Sequence, residues 1–115
     1  MKPGVDERGS ASLMVATCLA LLLTIGAATG MVAAVFRAHR SAQAAADLAA
    51  LAGAAAGQRG DDGCAAADRF AIANGAVLVS CRLEGDDVVV RVEVAGPRWL
   101  GQRADPVAEA RAGPA

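Results

Sequence analysis

From Ser10 to Phe36 the chain reads SASLMVATCLALLLTIGAATGMVAAVF, 27 residues without a charge. Wound as an α-helix at about 1.5 Å per residue, the run is roughly 40 Å long. A hydrocarbon core is about 30 Å thick, so the run spans it with some tilt. A soluble fold of 115 residues has no use for a buried helix so long and so uniformly apolar. The competing reading is a cleaved secretory signal, whose apolar region is typically about 7–15 residues. This run exceeds that, and the chain after it continues a helical pattern instead of opening a new domain. The expectation is a retained membrane helix.

What remains outside the span suffices for one small domain. The 55% hydrophobic content comes mainly from Ala, Val and Leu, with no Tyr, two Phe and one Trp, so helices can pack closely but few large side chains fill a core. A net charge of −1 gives no electrostatic basis for nucleic-acid binding. Of three cysteines, Cys18 lies in the span and reads as a small apolar residue. Cys64 and Cys81 lie 17 positions apart in the polar part, with no second CxxC or His pair to make a zinc site. A disulfide is the preferred reading for an exported domain of this size, and two unpaired structural thiols are the alternative. Closing that loop adds about 3 kcal/mol in the chain-entropy model.

Along the chain, Met1–Gly9 reads as a short polar tail, with Pro3 and Gly4 against helix formation. Lys2 and Arg8 before the span balance Arg37 and Arg40 after it, so charge alone leaves the orientation tied. The short tail and the domain cysteines favour the N-terminus inside and the C-terminal domain outside. Within the span, Gly26 and Gly30 form a GxxxG that lets two helix backbones approach. After Phe36, Arg37-Ala-His39-Arg40 makes an interfacial collar, and the segment from Ser41 to Ala56 is a strong helix former. Ala44, Leu48, Leu51 and Ala55 fall on one face. That stripe needs cover from the chain's own small domain, a partner helix, or both. Glycines and aspartates from Gly57 to Gly63 end the helix.

A second, short helix is expected over Cys64–Asn74, with Ala66, Phe70 and Ala73 on one face and Asn74-Gly75 as its cap. Val77, Val79, Cys81 and Leu83 then alternate with Leu78, Ser80 and Arg82. Glu84-Gly-Asp-Asp87 supplies a turn, and Val88, Val90, Val92 and Val94 alternate again. This is a β-hairpin with one apolar face. Trp99-Leu100 stands in a loop running to Pro106, Trp99 reading as a hydrophobic lid or a membrane-surface anchor, and Val107–Ala112 is a candidate third strand. The predicted fold class is thus α+β and membrane-anchored: a long N-terminal transmembrane helix, its Ala-rich continuation, a short helix and a small antiparallel sheet. The domain plan is a cytoplasmic tail (1–9), the transmembrane helix (10–36), an Ala-rich extension (37–57) and a small head (58–115).

Nothing in this pattern points to catalysis. His39, the sole histidine, sits between arginines without a positioned partner and reads as a solvated interfacial residue. Asp61-Asp62 and Asp86-Asp87 stand in Gly-containing turns, where aspartate serves the backbone, and lack the alternating ligands of a calcium loop. The glycines follow neither nucleotide-binding pattern. No enzyme activity, cofactor, metal site or small-molecule substrate is expected.

Several short motifs occur together. Arg8-Gly9-Ser10 precedes the apolar run, which leads into AQAAADLAALAGAAA (Ala42–Ala56); Cys64–Ala67, Ala73–Ala76 and Ala110–Pro114 follow. In these the chain resembles the TadE/TadG-like proteins of Flp (tight adherence) pilus assembly, and more narrowly a small TadE-like group of secretion gene neighbourhoods. The resemblance implies a pilin-like protein, anchored by its N-terminal helix, that works with other TadE-like or pilin-like subunits and secretion machinery at the cell membrane. It also implies a peptidase that cuts after a small residue and prefers Glu at the fifth mature position. Gly9 would precede the cut, Ser10 would come first, and Met14 would stand fifth, where the family prefers Glu. That departure favours a membrane-retained accessory component over a major filament subunit. An exported binding module, merely tethered by its span, is the alternative from another functional class.

Overall fold

The computed structural model describes residues 3–99, 102–103 and 105–114, with side chains described from Gly9 onward except those of 99, 102 and 103. The reading of Trp99 as a lid or anchor therefore lies outside the described side chains. Two compact units are present, Met1–Ala33 and Ala34–Ala115. The first consists of the N-terminal part of helix α1 (Pro3–Gln58). The expected non-helical tail is corrected here, because α1 already begins at Pro3. Proline is tolerated at a first helical position, where its missing N–H would have had no intrahelical acceptor.

In the second unit, the rest of α1 is followed by α2 (Gly63–Ala73), β1 (Ala76–Glu84), β2 (Asp87–Val94), β3 (Arg98–Trp99), β4 (Gln102–Arg103) and β5 (Val107–Ala112). The α1 terminus is closed by a Schellman motif: the Asp61 N–H donates to the Ala56 carbonyl and the Gly60 N–H to that of Gly57. Gly60 takes φ +81°, a left-handed conformation in which any Cβ is strained. One residue later Asp62 caps α2, its side chain accepting from the Ala65 N–H at 3.1 Å. Asn74 ends α2 as expected, its side-chain amide donating to the Phe70 carbonyl at 2.8 Å.

The strands form an antiparallel sheet in the order β1-β2-β5. Glu84 pairs with Asp87 across the tight turn, and Val107–Ala112 supplies the third strand that the sequence suggested. The excursion between β2 and β5 carries the two-stranded ladder β3–β4. It is tied at its base by the Val94 N–H to the Pro106 carbonyl and by the Gly96 N–H to Asp105.

The core is built of alanine and valine. Ala42, Ala45, Ala46, Ala49, Ala50 and Ala54 of α1 form one buried cluster with Ala67 and Ala71 of α2, Val88, Val90, Val92 and Val94 of β2, and Ala108 of β5. The four inward valines of β2 bear out the expected hairpin face. Three other face assignments are corrected. On α1 the alanines are buried, while Leu48 is 43% and Leu51 60% exposed, because the helix lies too close to its neighbours for a leucine between them. On α2 the buried residues are Gly63, Ala66, Ala67 and Ala71, and Phe70 is left out for the same reason. In β1 a register shift between Leu78 and Ser80 sets Val79 aside, so Ala76, Leu78 and Cys81 meet the core while Val77 and Val79 are exposed. A bulge of one residue reverses the alternation on one side of it, which a strict period-two reading cannot register.

Two covalent facts of the sequence fix how close the elements lie. Cys64 and Cys81 form the disulfide, joining the first turn of α2 to β1 with Cα atoms 5.8 Å apart. Gly53 of α1 faces Gly63 of α2. A Cβ on Gly53 would stand 2.9 Å from the Gly63 carbonyl oxygen and 3.0 Å from Val88 Cγ1, and one on Gly63 would stand 2.8 Å from the Gly53 oxygen. Backbone therefore touches backbone where the helices meet.

Gly53→Ala is expected to lower stability by about 1–3 kcal/mol through overpacking. Gly57→Ala, where an added Cβ meets nothing within 4 Å, is expected to be neutral or to stabilise by up to about 1 kcal/mol through helix propensity. Urea denaturation of the full chain in mild detergent, followed by circular dichroism, separates the two. In the same assay, Cys64→Ser with Cys81→Ser is expected to cost about 3 kcal/mol.

Candidate functional site

Between Gly9 and Gln58, α1 carries a segment long and apolar enough to cross a membrane and not buried against the rest of the chain. Within Met1–Ala33, Leu13, Met14, Leu19, Leu22, Leu23 and Ile25 are all exposed. The threonine hydroxyls on this stretch are internally satisfied. Thr17 donates to the Leu13 carbonyl and Thr24 to that of Ala20, both at 2.8 Å, and Thr29 donates to Ile25 and Gly26 at 3.0 Å. A hydroxyl returned to the preceding turn presents no unpaired donor to a hydrocarbon environment. Gly26 and Gly30 lie on this helix with open space where a Cβ would be, as does Gly9. Gly9 and Ser10 are both helical and exposed. Cys18 is free and exposed.

In the second unit, the side of α1 away from the alanine cluster displays Ala44, Leu48, Leu51 and Ala55. Gln43 and Asp47 border this face, the Gln43 amide donating to Asp47 at 2.9 Å and reaching the Glu109 carbonyl of β5 at 3.5 Å. The sequence-derived stripe is thus real as a surface, though the chain's own head leaves it uncovered.

Charged groups cluster at the turn end of the sheet. Arg111 of β5 donates from Nε to Asp87 at 2.7 Å and from Nη1 to Glu84 at 2.9 Å, and Arg82 donates to Glu84 at 2.9 Å. The hydrogen bond and charge of Asp87, aided by Glu84, raise the Arg111 guanidinium above its usual value. A raised cation contributes its stabilisation fully below its unfolded value and loses it as the pH rises towards the folded one, far above neutrality. The guanidinium therefore introduces no pH dependence near neutrality. The aliphatic stems of Arg82 and Arg111 stand opposite Val89 in the ladder, and Val89 is buried on the outer sheet face. Beside this cluster an open cleft of about 530 Å³ is lined by Gly57, Asp61, Gly63, Leu83, Asp86 and Val88, among others. Among the described residues, no group of three His, Cys, Asp or Glu side chains is arranged to hold a metal ion. His39 is exposed on α1.

The features that organise this chain are therefore an uncovered apolar helix and a small oxidised head. The apolar run and the alanine face that packs on the head both lie in α1, and that segment is what matches a known family. Residues 9–56 match the family described as "Putative Flp pilus-assembly TadE/G-like". The match begins at the glycine of the Arg-Gly-Ser motif and ends within the last turn of α1. The remaining motifs of the resemblance, Cys64–Ala67, Ala73–Ala76 and Ala110–Pro114, fall outside it. No curated protein and no solved structure matches the chain. The TadE/G-like segment thus contains the apolar run, the exposed leucine face and the buried alanine face on one helix. The match supports a protein related to pilus assembly.

Two features of this helix escaped sequence reasoning: its alanine face as the core face, and Gly53 as its closest approach. The signal for the second was a glycine inside an otherwise excellent helix, which signifies a close backbone contact when it is not a cap. If the leucines are surface and the alanines core, Leu48→Ala with Leu51→Ala leaves the unfolding midpoint within about 0.5 kcal/mol of the parent. Ala49→Leu lowers it by about 1–3 kcal/mol. The same denaturation assay reads both, and a reversed order would place the leucines in the core.

Proposed function

We propose that the protein is a pilin-like, membrane-anchored structural or accessory component of Flp/Tad-type pilus assembly or a related secretion system. The observation that carries this reading is the TadE/G-like match over a helix that carries an uncharged, uncovered run from Ser10 to Phe36, hydrogen-bonded within the helix at every threonine. Such a surface is stable in lipid and unstable in water: each fully exposed Leu or Ile forfeits about 1.5–3 kcal/mol relative to burial. Residues 10–36 form the span, residues 1–9 lie in the cytoplasm, and the head from 58 onward lies outside, carried by the extension 37–57. The disulfide supports this orientation, since such bonds persist in oxidising compartments. Met14 at the fifth position after Gly9 supports an uncut, retained protein over a processed filament subunit. Its partners are other pilin-like subunits and secretion components, met through the small-residue face at Gly26 and Gly30 and through the leucine face. This reading assigns the protein no catalytic role and no cofactor.

The test uses the full chain in its native host. The protein is expected to stay in the membrane pellet after alkaline carbonate extraction, to lose its head to external protease, and to show an N-terminus ahead of Ser10 by mass spectrometry. Recovery in the soluble fraction after high-speed sedimentation would sink the anchor, and a mature N-terminus at Ser10 would make the protein a processed subunit. Gly26→Ile with Gly30→Ile fits the isolated helix without a clash, and is expected to reduce co-purification of pilus-assembly components severalfold. An unchanged yield would leave the span as a mere tether.

A further inference from the structure

Three contacts fix which end of the head faces which part of α1. Gly53 lies against Val88, at the turn end of the sheet, and against Gly63, where α2 begins. Ten residues earlier, about 15 Å along the helix, Gln43 reaches Glu109, which pairs with Arg91 further along β2. From Gly63 the 11 residues of α2 lead to the start of β1, where Ala76 pairs with Val94 at the end of β2. The opposite end of the head comprises the last turn of α2, the start of β1, the end of β2 and the start of β5. It lies toward the α1 residues that precede Gln43, namely Phe36 to Arg40.

That end is apolar and basic, and the turn end is acidic. Ile72 is 63% and Val77 66% exposed; Val77 and Val107 flank Glu93 in one cross-strand row, and Phe36 and Val35 are exposed on α1. The charges there are Arg37, Arg40 and Arg98 against Glu93 and Asp105, with Arg98 and Asp105 3.7 Å apart. At the turn end, Arg59, Arg82 and Arg111 face Asp61, Asp62, Glu84, Asp86 and Asp87. Exposed branched apolar side chains with arginines at the same end suit the boundary of an anionic bilayer, where arginine stems are buried and guanidinium groups reach phosphate.

We infer that this end of the head, centred on Ile72, Val77 and Val107 with Arg37, Arg40 and Arg98, is a lipid-facing surface seated in the headgroup layer of an anionic membrane. The inference rests on the membrane-anchor reading, because the apolar run ends at Phe36 and α1 passes into the head at this end. It goes beyond that reading in making the head itself a membrane-contacting body. Seating this end presents the acidic turn end and its cleft to the aqueous side.

The test places single tryptophans in the full chain carrying Trp99→Phe, assembled in nanodiscs of phosphatidylcholine with one-quarter phosphatidylglycerol. Val77→Trp and Ile72→Trp report this end from two elements, and Leu83→Trp reports the turn end. Formation of the Cys64–Cys81 bond checks that each variant has folded. Emission from the Val77→Trp and Ile72→Trp variants is expected to be quenched severalfold more by lipids brominated near the carbonyl end of the acyl chain than that of Leu83→Trp, and to be protected from iodide. Equal iodide quenching at all three positions overturns the inference while leaving the anchor standing. Protection from iodide without quenching by brominated lipid also overturns it, since a second protein would then cover this end. Failure of the chain to assemble into discs would sink the anchor reading and this one together.

Discussion

The head holds together because one helix face is built almost wholly of alanine and glycine. With side chains no larger than a methyl group, α1 approaches α2 until the Gly53 and Gly63 backbones touch, and brings Val88, Val90 and Val92 into the same buried cluster. Dispersion between closely set atoms, and the exclusion of water from this seam, replace the deep aromatic core that the composition does not supply. Everything else in the head is arranged around that proximity. The Schellman turn at Gly60 and the Asp62 cap reverse the chain in four residues, and the disulfide then fixes α2 on β1.

The same economy explains why leucine and phenylalanine are outside. In most small domains residues of this size fill the core, whereas here Leu48, Leu51, Phe70 and Ile72 are exposed. Here the seam admits no side chain of that size. The surplus apolar surface is left on faces that point away from the head's interior, where lipid or another protein can cover it. A chain whose TadE/G-like segment comprises nearly all of α1 thus uses one helix for three tasks. Its first part is an apolar rod, its inner face is half of a core, and its outer face is free for contact.

Electrostatics has a smaller part in stability and a larger one in polarity. The Arg82–Glu84–Arg111–Asp87 group lies at the surface, where ion pairs contribute little to folding. It organises the hairpin turn and screens Val89 with arginine stems. The turn end carries more carboxylates than arginines, whereas Arg37 and Arg40 of α1 lie towards the other end, so charge is unevenly spread over the head.

The apolar run, the continuous helix, the hairpin with its inward β2 valines and the Asn74 cap were all legible in the sequence, because each rests on local chemistry: uninterrupted hydrophobicity, propensity, period-two alternation and turn residues. The Cys64–Cys81 bond was legible as a preference for the same reason, given only two cysteines in the head. What tertiary structure alone decided was which of two plausible apolar faces would be buried. Periodicity weighs residues by hydrophobicity and so selects Leu48, Leu51 and Phe70; packing weighs them by the space between backbones and selects Ala46, Ala49, Ala67 and Gly53. The bulge at Val79 likewise depends on how β1 must pair with β2 while bonded to α2, a condition set by residues far apart in the chain.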